Sequence, residues 1–65
     1  MKINLSIEFV EFGMMSQPQV ILDVPAVPQL NSMIRTERGL RKVSSLIYDY
    51  RPEALFVVVT VYEPK

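Results

Sequence analysis

The sequence of 65 residues predicts an all-β domain, either a small five-stranded barrel or a bent antiparallel sheet. Three observations lead to this prediction. Apolar and polar residues alternate from Ile3 to Phe9, with the two-residue period of a half-buried strand. Residues 55 to 62 form a long apolar run that is rich in valine, as buried strands are. Between these segments, Gly39 and Pro52 supply turn signals.

The first predicted strand, Ile3 to Phe9, is followed by two apolar residues on the face that is otherwise polar. Its even-numbered residues form the face that is expected to meet water, and Val10 and Phe12 extend that face. Apolar residues on a solvent-facing surface are typical of contacts between proteins. Val10 and Phe12 are therefore candidates for a contact with another chain.

The second predicted strand covers Gln19 to Val24. Pro25 and Pro28 follow it, and because proline has no backbone N–H, they indicate a rigid corner rather than a continued strand. The alternation predicts that Val20, Leu22 and Val24 share one face of the strand, and that Ile21 and Asp23 share the other.

Residues 30 to 50 admit two interpretations. Apolar residues recur at three- and four-residue spacings, which favours a helix over about 30–48 and an α+β fold of the ββαβ kind. A glycine within a helix costs about 1 kcal/mol relative to alanine, whereas Gly39 suits a hairpin turn. We therefore favour the hairpin. It consists of a short strand from Met33 to Thr36, a turn at Gly39, and a long strand from Leu40 to Tyr50 with a bulge near Ser44 and Ser45.

The last predicted strand runs from Leu55 to Tyr62, after a turn at Pro52. Such an apolar strand is expected to be covered on both sides, in the centre of the fold or at an interface. Glu63, Pro64 and Lys65 are expected to end its pairing. Leu55, Val57, Val59 and Val61 line one face of this strand, and Phe56, Val58 and Tyr62 line the other.

The composition argues against catalysis and metal binding. The chain has no His and no Cys, so the commonest general base, the thiol nucleophile and the soft metal ligands are missing. Gly13 and Gly39 are its two glycines, which excludes a glycine-rich phosphate loop. We expect no enzymatic activity, no cofactor and no metal.

The charges are balanced overall but unevenly distributed. Formal net charge is zero. Residues 35–51 hold five basic and two acidic residues, an excess of three positive charges, and the rest of the chain carries the opposite excess. These charges predict a modest basic patch on a domain without net charge.

The chain length implies one domain, residues 1–65, with little surface to bury. Without disulfides, stability at this size requires a dense core, oligomerisation, or both. The sequence contains no apolar run of about 20 residues, and its start lacks the pattern of a signal peptide. We therefore expect a cytoplasmic protein, located in the host cytoplasm if a phage encodes it.

Three segments carry a resemblance: Val24 to Ile34, Arg41 to Tyr50, and the valine-rich last strand. Together they resemble small uncharacterised proteins of phages and bacteria that have SH3-like barrels. The resemblance implies a five-stranded SH3-like barrel and an origin in a mobile genetic element. It implies no active site.

These observations favour a non-catalytic protein–protein interaction module, a phage-type inhibitor or adaptor that acts as a homo-oligomer or on a larger protein target. One alternative is a binder of nucleic acid or an anionic nucleotide, whose affinity falls as salt rises. Another is a structural subunit of a phage assembly. The candidate interface consists of Val10, Phe12, Phe56, Val58 and Tyr62. The candidate anion or nucleic-acid patch consists of Arg35, Arg38, Arg41, Lys42, Tyr48 and Tyr50.

Overall fold

The computed structural model describes residues 2–63, and within them the chain forms seven strands and no helix. Pro64 and Lys65, which were expected to end the last strand together with Glu63, lie outside the described residues. The all-β prediction is confirmed. The strands are β1 (Lys2–Glu11), β2 (Met14–Met15), β3 (Gln19–Ile21), β4 (Met33–Thr36), β5 (Gly39–Lys42), β6 (Ser45–Tyr50) and β7 (Ala54–Tyr62).

The main sheet is mixed and open. Its order is β2-β1-β7-β6, and β3 pairs with β1 on the same edge as β2. The central pair, β1 and β7, is parallel, whereas β6 pairs with β7 in antiparallel fashion. In the described chain no strand joins β6 to β2 or β3, so the sheet does not close into the five-stranded barrel that was one form of the prediction.

Residues 33–42 fold as the predicted hairpin. The alternative prediction, a helix over 30–48, is wrong. β4 has the predicted bounds and pairs with β5 in a separate two-stranded sheet. Gly39 has a φ of 103°, a region that other residues rarely adopt. Beside it, the Thr36 hydroxyl donates to the Gly39 carbonyl at 2.8 Å and accepts the Arg38 N–H at 3.1 Å. These hydrogen bonds hold the turn, so the glycine acts as a turn residue rather than as a helix interruption.

The predicted long strand from Leu40 to Tyr50 is instead two strands in two sheets. Between them, the buried Val43 exchanges backbone hydrogen bonds with Ser32 and Asn31, at 2.8 and 2.9 Å. The Ser44 N–H donates to the Thr60 carbonyl at 2.9 Å, although Ser45 is the residue opposite Thr60. Two residues thus face one, which is the arrangement of the predicted β-bulge. The chain changes sheets at this point.

The core lies on one face of the main sheet. The long connection between β3 and β4, residues 22–32, contributes Val24 and Val27, which pack against this core. Ile34 of β4 packs there as well. We call the opposite side of the main sheet the outer face. The buried residues of the core cluster are Leu5, Ile7, Phe9, Val43, Leu55, Val57, Val59 and Val61.

The orientation predicted for the second strand is wrong in part. β3 ends at Ile21, whose partner in the sheet is the buried Leu5, so Ile21 points to the core side and packs there. Of the three residues predicted to share the opposite face, Val24 packs against the core as well, whereas Val20 and Leu22 are 54% and 67% exposed. The strand stops because Asp23 has a φ of 58°, a conformation outside the β region.

Candidate protein interaction surface

Apolar side chains run across the outer face from one strand to the next. The register places Ile47, Val58, Ser6 and Val20 side by side on β6, β7, β1 and β3. Because residues paired across strands point to the same side of a sheet, these residues form a single row. Ser6 is the one polar residue of this row, and its side chain is small and half-buried.

A second apolar pair lies near the other end of the same face. Tyr62 of β7 and Val10 of β1 are sheet partners. Tyr62 is 61% exposed, and Val10 is half-buried. Phe56, also on the outer face, is half-buried as well, so the last strand is covered fully on its core side alone. Of the two expected ways of covering β7, burial of both faces within the fold is therefore not what the described chain shows, and cover at an interface stays a prediction.

The structure brings together most of the sequence-predicted interface. Val10, Phe56, Val58 and Tyr62 all lie on the outer face. Phe12 does not: it lies in the turn between β1 and β2 and is 90% exposed. The candidate interface therefore consists of a sheet face and a projecting aromatic residue at one end of β1.

Charged groups on the outer face compensate each other. The Arg51 guanidinium lies over the Phe56 ring, 4.1 Å from its centre, and binds the Asp49 carboxylate at 3.0 Å. Lys2 and Glu8 are further charged residues of this face, one of each sign. The face thus has an apolar surface with no excess of either charge, and a partner could cover it without leaving a net charge buried.

The predicted basic patch is divided among separate parts of the fold. Arg38 and Arg41 both face Glu63: the Arg41 guanidinium donates to both carboxylate oxygens, at 3.0 and 3.2 Å, and an Arg38 nitrogen lies 3.8 Å away. Arg38 also lies over the Phe9 ring, 4.5 Å from its centre. The hydrogen bonds from Arg41, together with the charges of both arginines, lower the pKa of Glu63 from its ordinary value of 4.5. These two cations are already neutralised in part.

The other members of the predicted patch point elsewhere. Arg35 and Lys42 lie on the side of the β4–β5 hairpin that faces away from the core, where Leu40 and Met33 are their sheet partners. Tyr48 and Tyr50 belong to β6, in the other sheet. The six residues therefore do not form one continuous basic surface.

Sequence reasoning missed two contributors to the outer face, Ile47 and Val20. They are 58% and 54% exposed, and both extend the row through Val58. Ile47 lay within a mixed apolar pattern, and the sequence did not indicate which face of its strand, that of Val20 or that of Ile21, would be covered. The strand register alone assigns them to this face.

Comparison with family models, curated proteins and solved structures gave no match. Among the described residues there is no helix long and apolar enough to cross a membrane.

Proposed function

We propose that this protein is a non-catalytic protein–protein interaction module and that the outer face of the main sheet binds its target. The observation that carries the proposal is the apolar row of Ile47, Val58 and Val20, which no element of the described chain covers. Burial of such a surface against a partner is favourable by about 25 cal/mol per Å² of apolar area.

The expected target surface is apolar and close to neutral in charge. Asp49 is paired with Arg51 on the outer face, and Lys2 offsets Glu8. Binding driven by apolar burial between surfaces without net charge responds little to ionic strength. The resemblance to small phage proteins supports the finer proposal of an inhibitor or adaptor that acts on a larger protein in the host cytoplasm.

A surface-displayed library of random peptides provides the test, with a matched pair of variants. Val58→Lys places a charge in the middle of the outer face, whereas Leu40→Lys places the same charge on the exposed outer side of the hairpin. We expect peptides selected on the unmodified protein to bind Leu40→Lys normally, to lose at least tenfold in affinity for folded Val58→Lys, and to bind equally at low and high salt. Equal binding to both variants would overturn the proposal.

The nucleic-acid alternative predicts a different response. A short single-stranded oligonucleotide that binds at low salt and dissociates at high salt would transfer the function to Arg35, Arg38, Arg41 and Lys42. The ion pairs of Arg38 and Arg41 with Glu63 reduce the charge that these residues offer to phosphates.

A further inference from the structure

Strand β6 is an edge strand, and in the described chain no other strand pairs with its free side. With six residues it is the longest described strand that has an unpaired edge along its whole length. Free strand edges present rows of N–H and C=O groups that pair readily with another strand.

The register shows which backbone groups point outward. Hydrogen-bonded and non-hydrogen-bonded pairs alternate along an antiparallel ladder. The Arg51 N–H donates to the Ala54 carbonyl at 3.0 Å, which makes this a hydrogen-bonded pair just beyond the end of β6. Counting back by alternation, Ile47 bonds inward to β7, whereas Leu46, Tyr48 and Tyr50 turn their backbone N–H and C=O groups to the free edge.

β6 has few of the features by which proteins protect such edges, and its bulge lies at its first residue, away from Tyr48 and Tyr50. Its sequence, Ser45 to Tyr50, contains no Lys, Pro or Gly. Its one charged residue, Asp49, is bound to Arg51 on the outer face. Tyr48 and Tyr50, on the core side of the strand, are 48% and 74% exposed.

We propose that β6 pairs with β6 of a second copy of this chain, antiparallel about a two-fold axis at Tyr48. Tyr48 then lies opposite the partner's Tyr48, and Leu46 lies opposite the partner's Tyr50. All of these residues have outward backbone groups, so every group that points to the free edge finds a bonding partner. On the core side the pairs are aromatic or apolar, and cross-strand pairs of this kind stabilise sheets.

Neighbouring registers satisfy these groups less well. An axis at Ile47 places Tyr50 opposite the partner's Ser44, whose N–H is engaged within its own chain with Thr60 at 2.9 Å. An axis at Asp49 sets two carboxylates directly opposite each other, which is destabilising. The axis at Tyr48 avoids both problems, because it places Asp49 opposite the partner's Ile47.

This inference deepens the proposed function, because it names one partner and the strand that binds it. The two copies form one continuous sheet, so their outer faces lie on the same side. Together they form an apolar binding surface that is twice as wide as that of one copy. The dimer contact and the outer face adjoin at Ile47, but Tyr48 points to the core side and Val58 lies on β7, so substitutions at these two residues address each surface alone.

A charge-reversal pair tests the proposed axis. Tyr48→Lys or Tyr48→Glu alone sets like charges opposite each other, whereas a mixture of the two sets Lys opposite Glu. By light scattering we expect twice the 7.5 kDa chain mass for the unmodified protein, 7.5 kDa for each folded variant, and twice the chain mass again for the mixture. A wild-type monomer at all concentrations, or folded variants whose mixture stays monomeric, would overturn the proposal.

Amide hydrogen exchange of the unmodified chain gives a second readout that requires no substitution. The Tyr48 amide should exchange slowly in the concentrated dimer and at least tenfold faster after dilution. The Ile47 amide, which bonds inward, should be slow in both samples and serves as the internal control. Fast exchange at Tyr48 at every concentration would refute the pairing.

The two proposals fail independently of each other. If the outer face binds the target and β6 binds the second copy, Val58→Lys loses the selected peptides but remains a dimer. Tyr48→Lys becomes a monomer that still binds these peptides. Loss of dimerisation in Val58→Lys with retention in Tyr48→Lys would place the dimer contact on the outer face and reject the β6 pairing.

Discussion

Phe12 adopts a backbone conformation that bulky residues rarely occupy. Its φ is 53°, and Gly13 after it has a φ of 74°. Two successive residues with positive φ between paired strands are the pattern of a type I′ hairpin turn, in which Asn-Gly is the preferred pair. At 90% exposure, the Phe12 ring gains almost no packing within its own chain that could offset the strain. The conformation has the effect of projecting an aromatic ring into solvent at the end of the outer face.

The strain at Phe12 leads to a stability prediction. Phe12→Asn should raise the free energy of unfolding by about 0.5–1 kcal/mol, since asparagine tolerates the left-handed region better than most residues. Urea unfolding monitored by circular dichroism measures the change. Gly13→Ala is the control: the position has open space around it, so its expected loss of about 1 kcal/mol reflects the backbone alone. A destabilised Phe12→Asn variant would show that the ring has a packing role.

The β4–β5 hairpin is held to the main sheet by both apolar and ionic contacts. Ile34 packs on the core from β4, and the Arg41 guanidinium of β5 binds Glu63, which lies just after β7. The carboxylate is 13% exposed and the Arg41 side chain 14%, so water screens this pair less than a surface ion pair. The ion pair therefore links the second sheet to the end of the central strand.

This link makes the docking of the hairpin sensitive to acid. Because the pKa of Glu63 is lower in the folded chain than its ordinary 4.5, the carboxylate stabilises the fold above pH 4.5. This contribution is lost as the pH falls through the lowered folded pKa. Glu63→Gln should reduce the urea midpoint at neutral pH, and its difference from the unmodified protein should shrink on acidification.

Urea titrations at a series of pH values measure this effect. Glu37→Gln, which changes an exposed carboxylate in the hairpin turn, is the matched control and should parallel the unmodified protein at each pH. A Glu63→Gln deficit that stays constant from neutral to acidic pH would contradict the assigned role of the ion pair.

At the scale of the whole molecule, the fold is one-sided. The main sheet buries one face under a two-stranded hairpin and a long connection, and exposes the other. Fully buried side chains such as Ile7 and Val57 therefore lie along the central β1–β7 pair. Small domains bury little surface and are only marginally stable. We therefore expect the free energy of unfolding to depend strongly on the packing of the β1–β7 pair.

The same substitution at two isoleucines tests the one-sidedness. Ile7 is 1% exposed and Ile47 is 58% exposed. Ile7→Val should lower the free energy of unfolding by about 0.5–1.5 kcal/mol, as is usual for buried isoleucines. Ile47→Val should change it by less than about 0.5 kcal/mol in the dilute chain. Comparable losses at both sites in urea unfolding would mean that the outer face is covered.

Local signals in the sequence were sufficient for several elements. The alternation in the first strand, the bounds of β4 and the turn at Gly39 could be predicted because they depend on side-chain period and on the φ that glycine permits. The bulge at Ser44 and Ser45 was also visible as an irregularity in the pattern. The placement of Phe56, Val58 and Tyr62 on one face of their strand followed from the same two-residue period, whereas the position of Val10 beside them follows from the β1–β7 register.

The sequence by itself thus determined which residues of a strand share a face, and it favoured the all-β class and the hairpin over a helix. Only the tertiary structure decided which strands are neighbours: the parallel pairing of β1 with β7, the change of sheet at Val43, and the free edge of β6. It also divided the basic residues, by bringing Glu63 to Arg41. The physical reason is that period and turn chemistry act within a few residues, whereas strand order depends on contacts between segments far apart in the chain.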